Sequence, residues 1–296
     1  MLQKNLIKSP AAICTVRPDR VQLLARTWTR RVPHIRGFNV CRDIRVHQQT
    51  AIRTYPRMRN LQNFKTSTTV DLQYWAEPPW LEPVKLTIIT QRSEGLQRTE
   101  LQAICDHFKW TRFITFELAI DFPVESGVDR AFVLRHGLFG RSHLVEGRIF
   151  DVLRFGTRRS ATLVRAYEKP ELNSYRVEVE FHGRWLREHG VRRLHDVPRI
   201  ANLVWPHRVW FARPDWARLA AHLSRKGLPT QKILVEAQSR ARSIRKLLDY
   251  LRRDVGLLNV HRFLRPLSIN RAIRNAARTW SECWRHNSKD ATGGPR

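Results

Sequence analysis

The chain has 296 residues, four cysteines and a formal net charge of +28. Its length suits one large domain or two modest ones with a real core. No apolar run is long enough to span a membrane or to form a signal-peptide core. Cys14, Cys41, Cys105 and Cys283 lie far apart without a C-x-x-C pair, which argues against a zinc site or disulfide scaffold and fits a reducing interior. The charge far exceeds what solubility requires and points to a polyanion, nucleic acid first, with a ribosomal role or an anionic membrane surface as the blander options.

Residues 1–65 carry net +12 with only two acidic residues. They read as a basic, poorly ordered N-terminal arm that grips phosphates, broken by Pro18, Pro33 and Pro56, with a short helix over Arg20–Thr29. A misplaced start is the other favoured reading, since Met58-Arg59-Asn60 is a credible beginning; an Arg-rich transit peptide is the third.

Residues 66–183 carry net −1, and 66–190 read as a compact α+β core. Strands are expected at Thr69–Trp75 and Val84–Thr90, separated by the Pro-rich Glu77–Pro83. A helix over Arg98–Phe108 follows from Leu101, Ile104, Cys105 and Phe108 at i, i+3, i+4 and i+7. Phe113–Phe122 is a nearly continuous apolar strand, hence central. A helix at Asp129–Leu138 precedes three strands: one ending at Gly156, Thr162–Tyr167, and the strictly alternating Tyr175–Phe181. This order predicts an antiparallel sheet with helices packed on one face.

Residues 184–296 carry net +17, and 191–286 read as a basic helical DNA-binding region. A helix starts at Pro214 with Trp216, Leu219, Ala220 and Leu223 as its stripe. Gly227 stops it, and Pro229-Thr230 opens a long helix running from Gln231 to about Asp254. Arg240, Arg242, Lys246 and Arg253 decorate that helix and are candidate DNA contacts. Helix Ile269–Trp284 follows, and 287–296 is expected to be a disordered tail.

Acids are thus concentrated between two basic flanks. Hard Mg²⁺ or Mn²⁺ needs oxygen ligands, so this layout suits a metal-dependent phosphodiester enzyme better than a coat protein. Glu117 and Asp121 share a strand face, as do Glu178 and Glu180, because side chains alternate along a strand. The four are candidate metal ligands. A solvated face is the bland account, favoured for Glu178 and Glu180 taken alone and weaker for Glu117 and Asp121 in their apolar run. Tyr167, beside Arg165 and Lys169, is a candidate nucleophile that a metal-polarised phosphate would make competent; Tyr175 competes with it. The turn with Arg158, Arg159 and Ser160 suits a phosphate. Arg165 and Arg176 either brace that phosphate or pair with the glutamates. No nucleotide-binding glycine motif and no His-hydrophobic-His metal motif is present.

The ordered set R-F-I-T-F-E-L-A-I-D (Arg112–Asp121), G-T-R-R-S (Gly156–Ser160), R-A-Y-E-K-P-E (Arg165–Glu171) and R-V-E-V-E-F (Arg176–Phe181) resembles the replication initiation factor family, the Rep-trans rolling-circle initiators of plasmids and filamentous phages. The resemblance covers roughly residues 69–186, with Glu117 where the family has aspartate. It implies a metal-dependent endonuclease that nicks one strand at an origin, leaving a 5′-phosphotyrosine and a free 3′-hydroxyl. Tyr167 would be the nucleophile, Glu117, Asp121 and Glu178 would hold Mg²⁺ or Mn²⁺ with Glu180 as a fourth ligand, and Lys169 and Arg165 would offset phosphate charge. The expected partners are DNA, as duplex origin and single-stranded nick site, with a host helicase or polymerase and a second copy of the chain as further candidates. The expected setting is the cytoplasm of a bacterial host, with no membrane. A non-catalytic DNA- or RNA-binding protein and a mobile-element relaxase or transposase are the alternatives.

Overall fold

A computed structural model describes residues 14–27, 34–45, 57–74, 84–92, 94–139, 144–146, 152–156, 160–204 and 209–286. The 287–296 tail and the Arg158–Arg159 pair lie outside them. In chain order the strands of the first half are β1 (Thr15–Thr27), β2 (Asn39–Arg45), β3 (Arg57–Asn63), β4 (Thr68–Tyr74) and β5 (Val84–Thr90). Helix α1 (Arg98–Cys105) leads into β6 (Phe108–Pro123), α2 (Arg130–His136), β7 (Gly137–Leu138), β8 (Leu144–Glu146) and β9 (Leu153–Phe155). β10 (Thr162–Lys169) and β11 (Ser174–His182) form a hairpin, and α3 (Gly183–Glu188) and α4 (Arg199–Val204) follow. The C-terminal part holds β12 (Trp210–Pro214), α5 (Trp216–Arg225), α6 (Thr230–Arg240), α7 (Ile244–Arg253), β13 (Leu264–Pro266) and α8 (Ile269–His286).

The protein is mixed α+β, as its element order predicts. Ten strands of the described residues form one antiparallel sheet, in the order β2-β3-β4-β5-β1-β6-β11-β10-β9-β8, and β13-β12-β7 form a second, small sheet. The strand expected to be central is central. β6 is paired by β1 over Phe108–Asp121 on one side and by β11 over Thr115–Pro123 on the other, and Phe116, Leu118, Ile120 and Phe122 on it are fully buried.

The N-terminal segment departs from expectation. Residues 15–27 are not an arm, and the expected helix over Arg20–Thr29 is strand through Thr27, with its last two residues outside the described ones. Val21, Leu23 and Ala25 are buried at every second position, the period of a strand, and β1 pairs with β5 and β6 at once. Leu, Arg and Ala favour helix locally, but two strand partners and an apolar face outweigh that preference. β2 and β3 extend the same sheet.

The buried side of the sheet is covered by helices. Leu101 and Ile104 of α1, Trp185 and Leu186 of α3, Ile200 of α4, and Ile273, Trp280 and Trp284 of α8 enter one core with the strands. The Trp284 ring meets Phe116 edge-on at 6.3 Å, and its indole N–H donates to the Leu194 carbonyl at 3.1 Å. Helix α8 therefore belongs to the sheet core and not to a separate basic region. A second core gathers Leu219, Leu223, Ile233, Ala237, Leu247 and Leu251 of α5, α6 and α7 with Phe263. The expected long helix from Gln231 is two helices. The chain breaks at Ala241–Ser243, where Ser243 is extended (φ −140°, ψ 128°), and the fold-back brings the α6 and α7 stripes to that common core. Asn270 ties β12 to α8, accepting from the Phe211 N–H at 2.9 Å and donating to its carbonyl at 2.6 Å. No helix among the described residues is long and apolar enough to cross a membrane.

A chain beginning at Met58 would lack β1, and with it the strand between β5 and β6. Residues 58–296 expressed alone should therefore show no cooperative thermal transition by circular dichroism where the full chain does; a sharp melt from the shorter chain would show that β1 is dispensable.

Candidate active site

The site is assembled by register. On β6 the alternating residues Glu117, Ala119 and Asp121 face away from the helices. On β11 Arg176 lies opposite Asp121, Glu178 opposite Ala119, and Glu180 opposite Glu117. On β10 Tyr167 lies opposite Arg176, and Arg165 opposite Glu178. Cross-strand partners share a face, so one row of charges and the tyrosine project together. Tyr175 is one residue out of phase and buried in the apolar core, which leaves Tyr167 as the tyrosine on the acidic face.

β1 completes the cluster with a residue the sequence reading did not select. Pro18 pairs with Leu118 and Arg20 with Glu117, so Asp19 is an extra residue in β1. Such a bulge re-aims side chains, and here Asp19 reaches Arg176 (3.0 Å) while Arg20 still faces the same side. The loop between β5 and α1 locks the bulge. Leu96 N–H donates to the Pro18 carbonyl at 2.9 Å. Gly95 sits at φ +76°, where a Cβ would stand 2.4 Å from that carbonyl oxygen, so only glycine fits.

Asp19, Glu117 and Glu178 each present a carboxylate oxygen within 4.8 Å of the other two. Three hard oxygen donors at that spacing suit Mg²⁺ or Mn²⁺. Glu117 and Glu178 are each 3 % exposed. Tyr167 donates its hydroxyl hydrogen to Glu178. Arg165 pairs with Glu117 through one guanidinium nitrogen and approaches Glu178 at 3.0 Å and Glu180 at 3.8 Å. Burial, with Glu178 close by, pushes the Glu117 carboxyl up to about 8 although Arg165 opposes the shift. Burial and the same Glu178 charge push the Tyr167 phenol above its ordinary value. A hydrogen bond from His182 holds Glu180 below the usual carboxylate range; their contact is 3.0 Å.

Other expected residues fall elsewhere. Asp121, expected as a metal ligand, is committed to Arg176 (2.6 and 3.1 Å) and to Arg17 (3.0 Å); Asp19 stands with Glu117 and Glu178 in its place. Arg176, expected on DNA, is completely buried and cannot touch a strand. Glu180 lies at the rim, shared between His182 and Arg165. Lys169 is half-buried, two residues beyond Tyr167 on the same face of β10. Ser160 is half-buried just before β10. Arg240, Arg242, Lys246 and Arg253 are exposed on the α6–α7 unit, where Arg240 pairs with Glu236 at 2.7 Å. None of the four lines the clefts beside the acidic cluster. One cleft, about 620 Å³, holds Tyr167, Arg165 and Arg154; the other, about 740 Å³, holds Arg20, Lys85, Arg165 and Glu180.

The chain matches no known family model, and no curated protein is significantly similar to it.

Asp19 did leave a trace in the sequence: it is one of two acids in the first 65 residues, and it precedes the alternating Val21-x-Leu23-x-Ala25. The bulge that aims it leaves no comparable sign.

Three outcomes follow from the charges. Arg176→Met strips Asp121 and Asp19 of their buried counter-ion and should cost about 3–5 kcal/mol; adding Asp121→Leu should return part of that loss, measured by urea unfolding. An additive double variant would mean the pair is not coupled. Folded Glu117 keeps a proton that the unfolded chain releases, so its contribution to stability falls as pH rises from near 4.5 to about 8. Glu117→Gln should flatten that fall. A cation must displace the same proton, so Mn²⁺ should raise Tm more at pH 8 than at pH 6, and Asp19→Asn should abolish the rise. An equal Mn²⁺ shift in Asp19→Asn would remove Asp19 from the ligand set.

Proposed function

We propose that this cluster is a divalent-cation-dependent DNA-nicking site, with Tyr167 as the nucleophile, in a rolling-circle replication initiator. One observation carries the reading: the Tyr167 hydroxyl is hydrogen-bonded to Glu178, and Glu178 is one of the three carboxylates spaced to share a cation. The ordered motifs through Arg112–Asp121 and Gly156–Phe181 support it.

Asp19, Glu117 and Glu178 would hold Mg²⁺ or Mn²⁺, which when bound would polarise the phosphate as a Lewis acid. The phenol is a poor nucleophile while its pKa is raised, so its proton needs an acceptor in place. Glu178 is that acceptor. Tyr167 Oη attacks phosphorus as its proton passes to Glu178. The bond from phosphorus to the 3′-oxygen breaks, and that oxygen takes a proton from Lys169 or water. The products are a 5′-phosphotyrosine and a free 3′-hydroxyl. Arg165, lining both clefts and partly exposed, is placed to turn from the glutamates to the phosphate.

A second reading has its own observation. Arg165 bridges Glu117 and Glu178, a closed ion-pair network that would hold a non-catalytic nucleic-acid-binding sheet together. Incubation with labelled single-stranded DNA carrying the cognate origin and Mn²⁺ separates the two. The nicking reading expects a covalent protein–DNA adduct from the wild type and from Tyr175→Phe, and at least a hundredfold less from Tyr167→Phe. Equal adduct from Tyr167→Phe, or none from the wild type with either metal, returns the cluster to a structural role.

A further inference from the structure

The face that carries the acidic cluster continues along β1 and β6 to a second feature. The register runs Arg20 opposite Glu117, Gln22 opposite Thr115, Leu24 opposite Arg112, and Arg26 opposite Trp110. An extra β6 residue between Thr115 and Phe113 shifts the alternation by one, so Trp110 and Arg112, with Arg26 of β1, project on the same side as Glu117. Trp110 is 42 % exposed, among the few large apolar side chains of the described residues left open to solvent. The Arg112 guanidinium carbon lies 5.6 Å from its ring centre. Arg26, Lys109 and Arg112 are exposed, and Arg26, Thr27, Lys109 and Trp110 line a cleft of about 640 Å³.

We infer that Trp110, with Arg26 and Arg112, is a stacking site for single-stranded nucleic acid that holds the same strand the acidic cluster acts on. An exposed indole ringed by cations suits unpaired bases joined by phosphates: bases stack on aromatic rings, and arginines and lysines neutralise the backbone. The described lining of that cleft holds cations and no acid, with Asp106 in the neighbouring cleft, and this balance favours a polyanion over a peptide. Seven residues of strand separate Trp110 from Glu117, about 23 Å at ~3.3 Å per residue. A stacked strand rises ~3.4 Å per nucleotide, so roughly seven nucleotides span that distance. The cleft holding Arg20, Gln22 and Lys85 lies between the two ends. The shared track rests on the nicking reading; the stacking site itself does not.

The test uses the full chain carrying Tyr167→Phe, so that binding is not confused with covalent capture. Anisotropy of a labelled 20-nucleotide single strand should show Trp110→Ala binding about five- to 150-fold more weakly, the range for loss of one stacked base. Trp110→Phe should keep most of the affinity. Arg26→Gln and Arg112→Gln should each lower the salt dependence of log K by about 0.7. In the Tyr167-containing chain, Trp110→Ala should raise the DNA concentration for half-maximal adduct and leave the saturating rate unchanged. Unchanged single-strand affinity in Trp110→Ala, or an equal loss for duplex DNA, whose paired bases offer no free face, overturns the stacking site. Weaker binding by Trp110→Ala in a protein that forms no adduct at all would instead overturn the nicking reading and leave the stacking site standing.

Discussion

The buried guanidinium of Arg176 is the constraint on which the polar side of the sheet depends. An arginine stays charged in any protein environment, and removing that charge from water costs several kcal/mol unless it is fully paired. Arg176 sits at zero exposure, with Asp121 of β6 against two of its nitrogens, Asp19 of β1 at 3.0 Å and Glu178 of its own strand at 3.5 Å. One residue thereby fixes the mutual register of three strands. It requires an acid from β1 at a point where regular alternation would not also keep Arg20 on that face, which is where the bulge at Asp19 occurs. It also orients Glu178, and Glu178 in turn holds Tyr167.

Charge balance explains why the cluster is more than a set of ion pairs. Five carboxylates (Asp19, Glu117, Asp121, Glu178, Glu180) meet three guanidiniums (Arg17, Arg165, Arg176) through the contacts described. A net negative charge is left over in a largely buried place, even with Arg20 acting on Glu180. The protein relieves part of that excess by holding a proton on Glu117, whose carboxyl is pushed up to about 8, and His182 offsets more at Glu180. A divalent cation between Asp19, Glu117 and Glu178 would relieve the same excess. Proton and cation would therefore compete for one site.

The parts legible in the sequence were those that rest on strict alternation. Glu117 and Asp121, and Glu178 and Glu180, were placed on shared faces from their spacing, and the sheet confirms the faces. Tyr167 was separable from Tyr175 only once the phase of β10 against β11 was visible. Alternation says which side a residue takes but not which partner claims it. Asp121 and Glu117 look alike in sequence, yet Asp121 is spent on Arg176 and Arg17. Arg176 looks like a phosphate contact because arginines usually are exposed, and its burial follows from acids on two other strands. β1 was hidden by its arginines and Pro18, which read as an arm until the strand's partners are known. The break at Ala241–Ser243 was equally silent, since the stripes of α6 and α7 continue one helical period; packing of α6 on α5 and of α7 on α2, β7 and β12 folds them back.

The acidic island also bears on how a strongly cationic chain would handle DNA on the proposed reading. Long-range attraction from a net charge of +28 gathers phosphates over much of the surface without choosing among them. The excess carboxylates around Glu117 repel a phosphate at short range. Capture by surface cations is therefore separable from admission to the site beside Tyr167, which needs the local charge reversed by a bound cation and Arg165 released from Glu117 and Glu178. A nucleophile kept hydrogen-bonded to Glu178 and shielded by negative charge would stay unreactive toward the many strands the basic surface attracts. On this reading selectivity begins as an electrostatic threshold at the acidic cluster, and the contacts that recognise sequence need only hold the right strand there long enough for that threshold to be crossed.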